Sequence, residues 1–230
     1  MNIQKLTIEI WKKLDDVQRS YIIGYYNIPP ELMEKIWYSA NKDHRDYMCM
    51  YQKFPPEFIE KIIQIWHKLS EHQKNFICLF QKLPIDVIIK IWDKLNKHQR
   101  SVICYSQILS YEFIEKIWDT LSKAEQQSIC KYQILSTDFV EKIWNNLTNR
   151  QKRNILIKSK LNIYFIKKIW NSLSEDLKDQ VCLYQTLPIS FIKKIWGELT
   201  DTQRVCIQNR DPLIKFVTYN LERSVSNEYK

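Results

Sequence analysis

The sequence predicts an all-α protein: a right-stacked αα-repeat solenoid of about eight 26-residue helix-turn-helix units with a C-terminal capping helix. Three observations predict it. The eight tryptophans stand at positions 11, 37, 66, 92, 118, 144, 170 and 196, so six of the seven intervals are 26 residues and one is 29. A fixed period of this length is the signature of a repeat architecture. An apolar helical stripe leads into each Trp, and a helix-capping residue follows four positions after it. With 2 glycines and 7 prolines in 230 residues, the chain also lacks the turn formers of a β-rich fold.

The first helix of a unit (the A helix) is read from Phe113, Ile114, Ile117, Trp118 and Leu121, which share one face at 3.6 residues per turn. It starts at Ser110, or in other units at Pro29, Pro55, Pro84 or Pro188, all start signals. Four residues after Trp come Asp15, Asn41, Ser70, Asn96, Ser122, Thr148, Ser174 and Thr200, each able to accept from the unpaired N–H groups of a new helix. Gln18, Gln73, Gln99, Glu125, Gln151 and Gln203 then complete capping boxes in six units; His44 and Leu177 hold that position in the other two. The A helix therefore ends just after its Leu and a B helix begins at the cap.

Counting from Trp, the B helix is expected to bury position +11 (Ile22, Met48, Ile77, Ile103, Ile129, Ile155, Val181, Ile207) and the +14 aromatics Tyr25, Tyr51, Phe80, Tyr132 and Tyr184. A 26-residue unit seals its core only by stacking on neighbours, with Trp as the wedge between helices. The 29-residue interval lies inside an A helix, at Phe58 to Trp66. It predicts a longer helix and a bend that sets the first two units apart. The units are 2–27, 28–53, 54–82, 83–108, 109–134, 135–160, 161–186 and 187–211 of one domain, 1–224. The cap at 212–224 is read from Leu213, Phe216, Val217 and Leu221, and a polar tail occupies 225–230.

The segment Tyr132-Gln133-Ile134-Leu135-Ser136-Thr137-Asp138-Phe139-Val140 recurs in outline at Tyr51-Gln52, Phe80-Gln81 and Tyr184-Gln185, over roughly residues 25–196. This Tyr-Gln-x-Leu-Ser-x-x-Phe-Ile pattern resembles the short helical tandem repeats of phage and giant DNA-virus proteins. The resemblance implies a viral origin and a non-enzymatic binding scaffold. The chain departs from the pattern in its strict Lys-Ile-Trp and in the Asn145–Ser174 unit.

Chemistry-bearing motifs are few. Cys49, Cys78, Cys104, Cys130 and Cys182 share one place in the B helix and read as small apolar residues at helix contacts. Stacked helices lie about 8–10 Å apart, beyond the reach of a disulfide. No Cys-x-x-Cys pair points to zinc. His44, His67, His72 and His98 read as surface or capping residues. No catalytic motif and no Gly-rich phosphate loop occurs, so no enzyme activity, cofactor or metal is expected.

Charge carries the remaining functional signal. The net charge is +9; residues 1–115 hold 16 basic and 14 acidic side chains, and residues 116–230 hold 19 and 12. Position +8 is basic in seven units (Arg19, Arg45, Lys74, Arg100, Lys152, Lys178, Arg204), with Gln126 the exception, and position −2 is Lys in six (Lys35, Lys90, Lys116, Lys142, Lys168, Lys194). The window 142–174 holds no Asp or Glu, but contains Arg150, Lys152, Arg153, Lys158, Lys160, Lys167 and Lys168. An anionic partner would relieve their mutual repulsion. Arg150 and Arg153 are three apart and could fork onto one phosphate or carboxylate. The candidate binding residues are those seven with Arg100, Lys178 and Arg204. The favoured partner is a host protein with an acidic surface, the second a phosphorylated nucleotide held where Arg150, Lys152 or Arg153 meets a Tyr or Trp. Nucleic acid comes third. The lack of an 18-residue apolar run argues against a membrane span. The first residues lack a secretion signal. An intracellular protein, in the cytoplasm of the host cell, is expected.

Overall fold

The computed structural model describes residues 6–210 and Lys215. Its sixteen α-helices alternate between A and B, with no strand among the described residues. The expected capping helix over 212–224 and the tail lie outside the described residues, Lys215 apart. The chain forms two compact units, 1–128 and 129–230, whose border falls inside one B helix. The A helices of the first unit are α1 (Ile8–Lys13), α3 (Pro30–Ser39), α5 (Pro56–Gln64), α7 (Ile85–Ile91) and α9 (Tyr111–Ile117). Its B helices are α2 (Asp16–Tyr25), α4 (Lys42–Tyr51), α6 (Glu71–Phe80) and α8 (Lys97–Ser106); α10 (Lys123–Tyr132) spans the border. The second unit adds A helices α11 (Thr137–Ile143), α13 (Ile163–Ile169) and α15 (Ile189–Ile195), and B helices α12 (Asn149–Lys158), α14 (Glu175–Tyr184) and α16 (Asp201–Gln208).

Each unit is a stack of αα repeats. In the first, α2 packs on α4, α4 on α6 and α6 on α8; in the second, α12 packs on α14 and α14 on α16. All eight tryptophans are buried. Several work as inter-repeat wedges: Trp37 meets Phe58 edge-to-face at 5.9 Å, Trp92 meets Phe113 at 5.2 Å and Trp144 meets Phe165 at 5.5 Å, the Phe in each case belonging to the next A helix. The shared cysteine position lies fully buried where B helices touch. Burial pushes the thiols of Cys78, Cys104, Cys130 and Cys182 up to about 12, and that of Cys49 higher still.

The caps fall where the sequence placed them. Asp15, Ser70, Asn96, Thr148 and Thr200 make reciprocal capping boxes with their Gln partners, and Ser122 does so with Glu125. Asn41 caps one-sidedly, because His44 turns its ring inward to Asp16 O at 3.2 Å; His44 is thus buried rather than at the surface. Ser174, followed by Leu177, makes no side-chain cap.

One detail differs from expectation. From the third repeat onward the A helix does not run as α-helix through Trp to Leu. It tightens into a 3₁₀ turn of three residues beginning at Trp, closed by an i→i+3 bond such as Leu95 N–H to Trp92 O at 3.2 Å. The tighter turn brings Leu, already extended, into position to start the next cap. In the 29-residue interval α5 has 9 residues where α7 has 7, but α3, which runs on through Trp37 in a repeat of ordinary length, has 10. The B-helix packing of α4 on α6 runs through this repeat as it does on either side.

Candidate protein-interaction surface

At about 100° per residue, positions +8, +11, +12 and +15 of a B helix share one face, and +10 and +14 point the opposite way. The structure follows this wheel. The +11 residues and the cysteines are buried, and so are Gln52, Gln81, Gln107, Gln133, Gln185 and Ser159 at +15. The expected burial of the +14 aromatics is corrected: Tyr25 is 77% exposed, Tyr51 54% and Phe80 50%. Tyr132 is exposed too, and Tyr184 half-buried.

Glutamine takes the inner place because B helices end without a Gly cap; their cap residues are extended, leaving orphaned carbonyls. The next repeat supplies the donor. Gln81 Nε2 donates to Cys49 O at 2.7 Å and Gln52 O at 2.8 Å, while its Oε1 accepts from Phe54 N–H at 2.9 Å. Gln107 does the same one repeat later, on Cys78 O, Gln81 O and Leu83 N–H. In the second unit Gln185 clamps Ser159 O at 2.8 Å and Leu161 N–H at 2.9 Å. Ser159 keeps only the accepting half, from Leu135 N–H at 2.8 Å. Arg210 takes over the donating half at the last repeat, bonding Cys182 O and Gln185 O. These clips went unread at the sequence level, although the recurrent Tyr-Gln pair was their signal.

With Gln inward, the aromatics are turned out. Three consecutive B helices each present an i, i+4 pair: Tyr21 with Tyr25 at 4.8 Å, Tyr47 with Tyr51 at 6.0 Å and Phe76 with Phe80 at 6.1 Å between ring centres. Because α2, α4 and α6 lie side by side, the pairs form one aromatic field. Lys53 and Lys82, exposed just beyond Tyr51 and Phe80, stand at its edge. An apolar patch of this kind on a folded surface marks an interaction site.

The +8 row is not the free track the sequence allowed. Arg100 Nε donates to the Trp92 carbonyl at 3.3 Å and its guanidinium lies 5.5 Å from the centre of that indole. Arg204 repeats this on Trp196, and Arg19 and Arg45 do so in their own units. Lys152 and Lys178 sit over Trp144 and Trp170 at 5.3 and 5.6 Å. The exception Gln126 keeps the hydrogen bond, to Trp118 O at 3.1 Å. The arginines and Gln126 thus give the Trp carbonyl a second donor beside the N–H that closes the turn, and the arginines, Lys152 and Lys178 cover the Trp face. Lys178 also pairs with Glu175 at 2.9 Å, which holds that carboxyl below its ordinary range. Arg100, Lys178 and Arg204 are therefore engaged within their own repeats.

The acid-free window divides between layers. Arg150, Arg153 and Lys158 are exposed on α12, whereas Lys167 and Lys168 lie on α13, in the A layer. Arg153 is ion-paired with Asp176 of the next repeat at 3.0 Å and Lys168 with Glu141 at 2.5 Å, so acids just outside the window pair two of its cations. Lys160 Nζ donates to Tyr184 O at 2.5 Å. Arg150 and Lys158 stay unpaired. Lys152, not Arg150 or Arg153, is the cation that meets a Trp, and it is half-buried.

No group of three or more His, Cys, Asp or Glu among the described residues is placed to hold a metal ion, and no described helix is long and apolar enough to cross a membrane. Comparison with protein-family models, with curated proteins and with solved structures finds no match.

Proposed function

We propose that the chain is a non-enzymatic binding scaffold that docks a protein through the outer face of α2, α4 and α6. The observation that carries this reading is the aromatic field of Tyr21, Tyr25, Tyr47, Tyr51, Phe76 and Phe80. Tyrosines and phenylalanines lose little side-chain entropy on docking and supply large contact areas, which is why aromatics concentrate at the centres of protein interfaces. Five of the six are exposed, on three successive repeats, which opposes solubility. The flanking Lys53 and Lys82 favour a partner with an acidic surface. The resemblance of the Tyr-Gln motif to viral repeats supports a partner in a host cell. Nucleic acid fits less well, because four guanidiniums of the basic row are stacked on indoles rather than open to phosphates.

The test is affinity capture with three forms of the protein: wild type, Tyr25→Ser/Tyr51→Ser/Phe80→Ser, and Arg150→Glu/Arg153→Glu. All three substituted aromatic side chains are exposed, so the variant retains its helical circular dichroism and melting temperature. The expected result is a partner recovered by wild type and by the arginine variant and lost from the aromatic variant. Retention by the aromatic variant with loss from the arginine variant would move the interface to α12 and end this reading.

A further inference from the structure

In the A layer some successive repeats are linked by an ion pair; the place of the carboxylate is apolar at Ile8, Ile63 and Ile89 and holds a cation at Lys167 and Lys193. The Glu three residues before one Trp accepts from the Lys two residues before the next repeat's Trp: Lys168 Nζ meets Glu141 at 2.5 Å, from α13 to α11. Lys61 of α5, five residues before its Trp, meets Glu34 of α3. By this register Lys194 of α15 should meet a carboxylate at position 167, and the chain has Lys there. Lys-Lys at 167–168 and 193–194 replaces the Glu-Lys found at 34–35, 115–116 and 141–142. Lys167 leans toward α15, its Nζ 5.7 Å from the Phe191 ring centre. Lys193 and Lys194 are exposed and have no ion pair among the described residues. Where the carboxylate is missing, a cavity of about 260 Å³ opens between α13 and α15, lined by Lys167, Asn171, Ser190, Lys194 and Glu198 beside Trp170.

We propose that this groove binds a phosphate monoester group, which takes the place of the missing carboxylate. A phosphate carries about −1.5 to −2 charges and three acceptor oxygens near neutral pH, matching two ammonium groups. The Ser190 hydroxyl and the Asn171 amide add neutral donors. Glu198 shares the lining and accepts from a hydroxyl or amine on the moiety that bears the phosphate; it also repels a continuous polyanion, which favours a single phosphorylated group over a nucleic-acid strand. The site belongs to the second unit and the aromatic field to the first, so the two readings stand or fall independently.

Two variants test the site. Lys167→Glu supplies the carboxylate, so it should raise the melting temperature while abolishing phosphate binding; Lys194→Gln should weaken binding without adding the ion pair. The full-length chain is titrated at constant ionic strength with inorganic phosphate, adenosine monophosphate and a phosphoserine peptide, against chloride controls. Saturable binding of at least one probe to wild type is expected, with affinity lower by about tenfold or more in each variant. The probe that binds tightest separates free phosphate, nucleotide and phosphoprotein as the source. No saturable binding of any probe beyond the chloride control, or equal affinities in wild type and both variants, would overturn the assignment.

Discussion

Single side chains in this protein are chosen by the backbone groups they must satisfy. The Gln clip makes the point: one amide answers two orphaned carbonyls and one N–H of the preceding repeat, in a place water does not reach. Removing it leaves three buried groups unpaired, at roughly 1–3 kcal/mol each before relaxation. Gln81→Leu, close in volume, is therefore expected to lower stability by about 2–4 kcal/mol, seen as a lower urea midpoint with the slope unchanged. A loss below about 0.5 kcal/mol would show that the clip contributes little. The same logic explains why +8 is basic. The Trp carbonyl that opens the 3₁₀ turn accepts one bond from the turn itself, and Arg supplies a second while covering the indole. Composition alone made this row look like a docking track; only the contacts reveal that it faces inward.

At the scale of the element, the B-helix start is the most regular feature of the repeat and the one most fully legible in advance. Seven of the eight anticipated caps accept from the helix, six as reciprocal boxes. The exception is informative. Ser174 has the right side chain but makes no cap bond, and its box position is a buried Leu177. Ser70→Ala is expected to cost about 1 kcal/mol, and Ser174→Ala less than about 0.5 kcal/mol, in parallel chemical-denaturation curves. Equal costs would mean that Ser174 caps in solution. The A-helix ending was misjudged for a physical reason. Apolar periodicity places Phe, Ile, Trp and Leu on one face but does not distinguish an α turn from the tighter 3₁₀ turn that follows Ile.

For the molecule as a whole, five buried thiols repeat one device along both units. A thiol held up to about 12 by burial keeps its proton in the folded chain, whereas in the unfolded chain it ionises near 8.5. The folded state then binds more protons, so stability is fully present below about pH 8.5 and falls as pH rises toward 12. Urea midpoints measured between pH 7.5 and 9.5, before tyrosine and lysine titrate appreciably, should fall with pH in wild type. They should fall less in a variant with Cys78, Cys104, Cys130 and Cys182 replaced by Ala. A pH-independent midpoint in wild type would contradict the burial.

By itself the sequence determined the repeat, its phase, the break between A and B helices and the buried tryptophans. Each rests on periodicity or on a cap whose partner lies within four residues, and such local terms are readable along the chain. Tertiary structure alone decided which side of each B helix faces the neighbouring repeat. Tyr at +14 and Gln at +15 compete for the interior, and the outcome is set by carbonyls 26 to 32 residues away that only the Gln can reach. That one choice turns the aromatic field outward and the basic row inward. It moves the candidate surface from the cations that composition emphasised to the rings that the core left outside.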